Sequence, residues 1–304
     1  MRNTAIALLI IAVPLMLVGC ALAGQYETNT YEVAEAFSDI SVTTSTADII
    51  FALSDEEKCR VECYEKENAK HSVAVENDVL VVRVDKSWYN RFGFSFSFDL
   101  PKITIYLPKT EYNALSIDES TGNVEIPKDY LFENVDISTS TGDVDFCASV
   151  SESARIETTT GNIRVENISA GALDLSATTG KVNVSGVTCR DDITVEVSTG
   201  EAYLTDISCR SVISDGTTGS MSLSNVIAAD KLSVERSTGD VEFSSCDAGE
   251  IYVETSTGNV TGSFLSDKVF ITDTHTGSVD IPKTITGGRC EISTHTGNIK
   301  MKYE

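Results

Sequence analysis

Histidine, tryptophan and proline are scarce in this chain, with three, one and five among 304 residues. So few histidines leave little material for imidazole-based catalysis or imidazole-rich metal centres. Five prolines, with 41% apolar residues, argue against a coil-like or wholly disordered chain. Positive charge is also short: 23 basic side chains face 46 acidic ones, a net charge of −23. Such a surface repels a phosphate backbone, which sets nucleic acid aside as a partner. No GxSxG, HExxH, Walker loop or dinucleotide-binding fingerprint occurs, and no CxxC pair.

What is present begins with the amino terminus. Residues 3–26 carry no charge and follow Arg2, a pattern of export or membrane insertion with the remaining chain outside. Within them Leu17-Val18-Gly19-Cys20 resembles a bacterial lipoprotein processing box, which makes Cys20 a lipidation candidate. The hydrophobic stretch continues past Cys20, where a lipoprotein usually turns polar, and Pro14 would kink a spanning helix. An uncleaved helix, lipidation and ordinary cleavage all remain readings of this segment. The first two anchor the chain in the cell membrane, with the repeats extracytoplasmic.

Seven further cysteines, at 59, 63, 147, 189, 209, 246 and 290, are an odd number and cannot all pair within the chain. Cys59 and Cys63 share a face of one strand, a poor arrangement for a disulfide. Buried free thiols are the favoured reading, with a Cys189–Cys209 bridge as the alternative.

Half of the twenty glycines hold one repeated position. Gly122, Gly142, Gly161, Gly180, Gly200, Gly219, Gly239, Gly258, Gly277 and Gly297 follow one another at 19 or 20 residues, each preceded by threonine. STADI at 45–49 is a degenerate early copy with Ala47 in the glycine's place. Apolar residues alternate around each glycine, at +2 (Val124, Val144, Ile163) and at +4 (Ile126, Phe146, Val165). A third inward site stands at +7, as in Ile168, Val187 and Cys246. Period-two alternation marks half-buried strands, and 19 residues cannot hold a βαβ unit. The economical fold is all-β, a parallel β-solenoid (β-helix) of 19–20-residue coils with an irregular N-terminal β cap. Meander and sandwich folds are the less economical alternatives.

The expected organisation is an anchor or signal at 1–26, degenerate β coils or a cap at 27–114, and a regular solenoid at 115–304. Glycine provides a tight corner, and the Asp or Asn that often follows can satisfy turn amides. Ten repeated corners are structural turns rather than ten active sites. NDV at 77–79 suggests a turn, WYNRFGFSFSF at 88–98 a hydrophobic cap or curved hairpin, with a ligand-facing loop or membrane-proximal contact as alternatives, and Lys300 and Lys302 the protection of an exposed last strand. His275 and His295 should stack on neighbouring coils, as surface ladder residues rather than a metal site with Asp273. No catalytic residue, cofactor or metal ligand is assigned.

The words STGNV at 120–124 and 256–260, STGDV at 140–144 and 237–241, and HTGSV at 275–279 resemble a bacterial adhesin-type family, a domain of unknown function (DUF4097) built of repetitive β-strands. The resemblance spans about 35–304. It implies a β-solenoid, an exposed envelope location and no catalytic residues. The expected function is a non-enzymatic, membrane-anchored adhesin or envelope interaction module whose partner, an envelope component, protein or glycan, is unidentified. An envelope scaffold or sensor is the alternative, and a polysaccharide-active β-helix enzyme a more distant one.

Overall fold

A computed structural model describes residues 26–67, 69–84 and 101–303. The segment around Cys20 and the aromatic stretch at 88–98 lie outside the described residues. Among the described residues all elements are strands, 24 in number, forming one sheet wound into a parallel solenoid. Among the described residues no helix is long and apolar enough to cross a membrane.

The N-terminal region holds β1 (Tyr26–Val33), β2 (Asp39–Thr44), β3 (Asp48–Leu53), β4 (Cys59–Lys66), β5 (His71–Glu76), β6 (Val79–Val84) and β7 (Lys102–Leu107). Beyond it, long and short strands alternate: β8 (Glu111–Thr121), β9 (Val124–Ile126), β10 (Leu131–Thr141), β11 (Val144–Phe146), β12 (Ser149–Thr160), β13 (Ile163–Glu166), β14 (Ser169–Thr179), β15 (Val182–Cys189) and β16 (Asp192–Thr199). Longer strands β17 (Ala202–Thr218), β18 (Met221–Thr238) and β19 (Val241–Thr257) follow. The chain closes with β20 (Val260–Phe264), β21 (Lys268–Thr276), β22 (Val279–Asp280), β23 (Gly288–Thr296) and β24 (Ile299–Tyr303).

Each coil stacks in register on the next. Val144 pairs with Val124 on one side and Ile163 on the other, and Ile137 lies between Ile117 and Ile156. Up to the coil of Gly239 the apolar residues at +2, +4 and +7 are buried and form one continuous apolar core, whereas Leu265 and Val279 near the C-terminal end are exposed. A Val or Ile side chain buried this way contributes roughly 1.5–3 kcal/mol relative to exposure, and the β-branched types suit strands.

The repeated glycine permits coil-on-coil approach as well as a corner. At Gly161, φ is 150°, and a Cβ would lie 1.9 Å from the Gly142 carbonyl oxygen of the neighbouring coil. Where Asn or Asp follows the glycine it links coils: Asn123 Oδ1 accepts from the Asp143 amide at 2.9 Å, and Asp143 Oδ1 from the Asn162 amide at 2.7 Å. A second corner, six residues after the glycine, holds Asn167, Gly186, Asp206, Asn225 and Ser245 at φ between 53° and 62°. Glycine, asparagine and aspartate adopt left-handed conformations most readily; Ser245 is the exception at this corner.

Coils at both ends stack out of chain order. The coil of β2 and β3 lies between β6/β7 and β8/β9, so Ala47 stands beside Gly122 and donates its amide to the Thr121 carbonyl at 3.1 Å. Antiparallel strands finish this end: β5 on β6, joined through Asn77 and Asp78 at φ 52° and 70°, and β4 on β7, with β1 on β4. Two consecutive positive-φ residues match the twist of a tight hairpin.

At the other end β23 and β24 insert between the coil of β19/β20 and that of β21/β22. This corrects the expectation that Lys300 and Lys302 protect a last strand. Their strand, β24, pairs along its length with β20 and, at Ile299 and Lys300, with β22, so that among the described residues the outermost edges are those of β21 and β22, with Lys302 beyond the short β22. Cys290 and Ile292 are fully buried by this insertion, whereas the equivalent positions of the outer coil, Phe270 and Thr272, are only half-buried. All seven described cysteines are free, so Cys189 and Cys209 are not bridged.

Candidate interaction groove

Three residues before each repeat glycine the side chain points into the coil. Threonine is the commonest occupant: Thr158, Thr255 and Thr294 are buried and donate to the repeat-glycine carbonyls of Gly142, Gly239 and Gly258 at 3.0–3.3 Å. Glu119 and the run Ala177, Val197, Gly216 and Arg236 interrupt the ladder, the last two on successive coils. Arg236 is 5% exposed, and its guanidinium lies across the missing side chain of Gly216. Its Nη2 donates to Ser214 Oγ at 2.8 Å, and Ser214 Oγ donates in turn to the Val195 carbonyl at 3.0 Å. Burial lowers the Arg236 pKa to about 10, opposed by the nearby Asp215 carboxylate.

Immediately outside, one residue earlier, stand Glu196, Asp215, Glu235 and Glu254. The register places each directly beside the next on adjacent parallel strands. All four are exposed, and none forms an ion pair among the described residues. Some acids on other coils are ion-paired, as in Arg164–Asp145 at 2.8 Å, Lys181–Glu201 at 2.7 Å and Arg210–Asp192 at 2.8 Å. Ser198, Thr217, Ser237 and Ser256 run parallel to the four carboxylates. Together the two rows and Arg236 line a groove of about 310 Å³. Coil spacing sets neighbouring carboxylates about 4.8 Å apart, so like charges repel along the row. A cationic partner laid along the groove would relieve that repulsion.

At the groove's far edge Tyr252 donates its hydroxyl to Glu254, which raises the tyrosine pKa to about 12. The Lys231 ammonium lies 5.8 Å from the Tyr252 ring centroid. A smaller depression of about 150 Å³ between Lys231, Tyr252, Arg289 and Glu291 continues the surface.

The ten repeat glycines lie on the neighbouring corner and carry no chemistry themselves. His275 and His295 stack with ring centroids 4.8 Å apart, exposed on the two terminal coils. Asp273 is two residues before His275 on β21. The four-carboxylate row, Gly216 and Arg236 were absent from the sequence reading. Their signal was available as Gly and Arg at a position that most other coils give to threonine or to a small or aliphatic residue.

Residues 37–191 match the family model described as Toastrack DUF4097. No curated protein sequence matches the chain. Among solved structures, a provisionally assigned adhesin from Bacteroides fragilis is 17% identical, with 93% of this chain and 100% of that chain covered and a TM-score of 0.45. A provisionally assigned lipid-binding protein from Parabacteroides distasonis is 21% identical, with 79% and 94% covered and a TM-score of 0.49.

Proposed function

Because the chain belongs to the Toastrack DUF4097 family, we propose that it is a non-enzymatic, adhesin-type interaction module. It stands outside the cell membrane on its N-terminal anchor and binds cationic envelope components along the lateral groove. The observation that carries this reading is the uninterrupted row of four exposed carboxylates, Glu196, Asp215, Glu235 and Glu254, set side by side on adjacent strands with no ion-pair partner among the described residues. Stacked coils hold the row rigid, so little ordering entropy is lost on binding. The carboxylates occupy one wall, one register position and one face. A glycosidase needs two carboxyl groups flanking the scissile bond, so this arrangement favours binding over turnover.

The test is to incubate the full-length chain, reconstituted through its amino terminus, with cell-envelope fractions at low and high salt. The reading expects saturable binding that salt weakens, with the bound fraction recovered chemically unchanged. Absence of binding, or release of glycan fragments, would refute it.

The open edges of β21 and β22 favour a second reading, an envelope scaffold built by end-to-end association. Ile271 and Val279 are 48% and 43% exposed there, beside unpaired backbone groups. Sedimentation of the detergent-solubilised chain over a concentration series separates the two, since a scaffold self-associates and a monomeric module does not.

A further inference from the structure

The N-terminal cap holds a cluster unrelated to the groove. Cys63 and Glu65 lie two residues apart on the inward face of β4, and His71 opens β5 beside them. One donor atom from each, a sulfur, a carboxylate oxygen and a ring nitrogen, lies within 4.8 Å of the other two. Cys63 and Glu65 are fully buried and His71 is 5% exposed.

We propose that Cys63, Glu65 and His71 form a binding site for a borderline divalent cation of the zinc type. Thiolate, imidazole and carboxylate together are a zinc donor set, whereas calcium and magnesium prefer oxygen alone. The charges suit a dry site, because one dication balances one thiolate and one carboxylate beside a neutral imidazole. Three protein donors leave one tetrahedral position for a water.

The groups behind these donors are already arranged. Glu65 Oε1 accepts from Asn29 Nδ2 at 2.7 Å, and Oε2 from the His71 amide at 2.7 Å. His71 Nε2 meets Thr44 Oγ1 at 3.0 Å, while Tyr31 donates to the His71 carbonyl at 2.9 Å. Metal-binding histidines are commonly held by such a contact at the second ring nitrogen. Cys63 supplies an independent observation: no hydrogen bond joins its wholly buried thiol to any described residue. Without metal, His71 Nδ1 lies 2.7 Å from Glu65 Oε2, and the two satisfy one another.

Binding is balanced in protons. The Cys63 thiol loses its proton to solvent, and the neutral imidazole carries its proton on Nε2, where Thr44 Oγ1 accepts it. Nδ1, the thiolate and a Glu65 oxygen then face the cation. The site lies beneath β1, which among the described residues pairs with β4 alone, so fraying of that edge provides a route of entry.

The experiment titrates the reduced full-length chain in detergent with Co²⁺ under anaerobic conditions. One equivalent should give visible absorption with a thiolate-to-cobalt charge-transfer band, and Zn²⁺ should displace it. Cys63→Ser should abolish the band and weaken Co²⁺ binding at least tenfold, while Cys209→Ser retains both. Thr44→Val, which leaves all three ligands in place, should weaken binding roughly tenfold to a hundredfold. No stoichiometric Co²⁺ binding by the wild-type chain, or a band that survives in folded Cys63→Ser, would overturn the proposal. The wild-type result decides the matter even if a variant fails to fold.

Discussion

The guanidinium of Arg236 fills the space that a side chain at Gly216 would need: a Cβ there would lie 2.1 Å from Arg236 Nη1. The two residues occupy the same position on adjacent coils, so neither substitution alone is neutral. Gly216→Thr should expel the buried guanidinium and destabilise the chain by about 2–4 kcal/mol. Adding Arg236→Thr removes the clash with the guanidinium, leaves the 2.7 Å approach to the Val197 carbonyl, and should recover part of that loss. Thermal unfolding of the four members of this double-mutant cycle measures the coupling; additive effects would contradict the pairing.

Glu119 occupies the same ladder position next to Ala47. Its Oε1 accepts from the Ala47 amide at 3.3 Å, and its Oε2 is buried without a partner among the described residues. Burial raises its pKa to about 7; the Ala47 amide opposes the rise and Asp48 adds to it. The folded chain therefore retains a proton that the unfolded chain releases above about 4.5. Stability from this group is complete below that value and falls as pH rises toward about 7, by up to about 3 kcal/mol. Glu119→Gln should remove the dependence, so that the variant's melting temperature gains on wild type across this window and then levels. A constant difference would show that Glu119 does not titrate there.

Gly161→Ala should cost about 3–5 kcal/mol. The added methyl meets the Gly142 carbonyl at 1.9 Å while φ stays near 150°. Urea unfolding followed by circular dichroism reads the loss. A cost below about 1 kcal/mol would mean that coils separate easily at this corner.

Glu235 has a carboxylate on each side along the groove. Its replacement by Gln should stabilise the chain by about 0.2–1 kcal/mol at low ionic strength. The gain should shrink in salt as the repulsion is screened. An unchanged or lower melting temperature at low salt would show that the row is not under electrostatic strain.

The coil period was readable because corner and core recur at fixed spacing: threonine-glycine marks each turn, and Val124, Val144 and Ile163 the inward face. The turn at Asn77 and Asp78 and the degenerate coil at Ala47 were readable for the same local reasons. The stacking order of the last coils was not. HTG at 275–277 and at 295–297 are the same word, and either fits against Gly258. The choice falls to the inward residues, where Cys290 and Ile292 complete the aliphatic core of Ile251 and Val253. Thr272 tolerates the open end. The groove escaped notice because its acids look like ordinary surface charge until register sets four side by side. The Cys63, Glu65 and His71 cluster depends on antiparallel pairing in the cap, which the solenoid period does not encode.

The most direct test of the central claim compares wild type with a variant carrying Glu196→Gln, Asp215→Asn, Glu235→Gln and Glu254→Gln together. Both full-length chains are titrated with poly-lysine and with cell-envelope fractions across a salt series. The account predicts saturable, salt-sensitive binding to both by wild type, with affinity for both at least tenfold lower and a shallower salt dependence in the folded variant. Equal affinity and an equal salt slope in the two chains would contradict it.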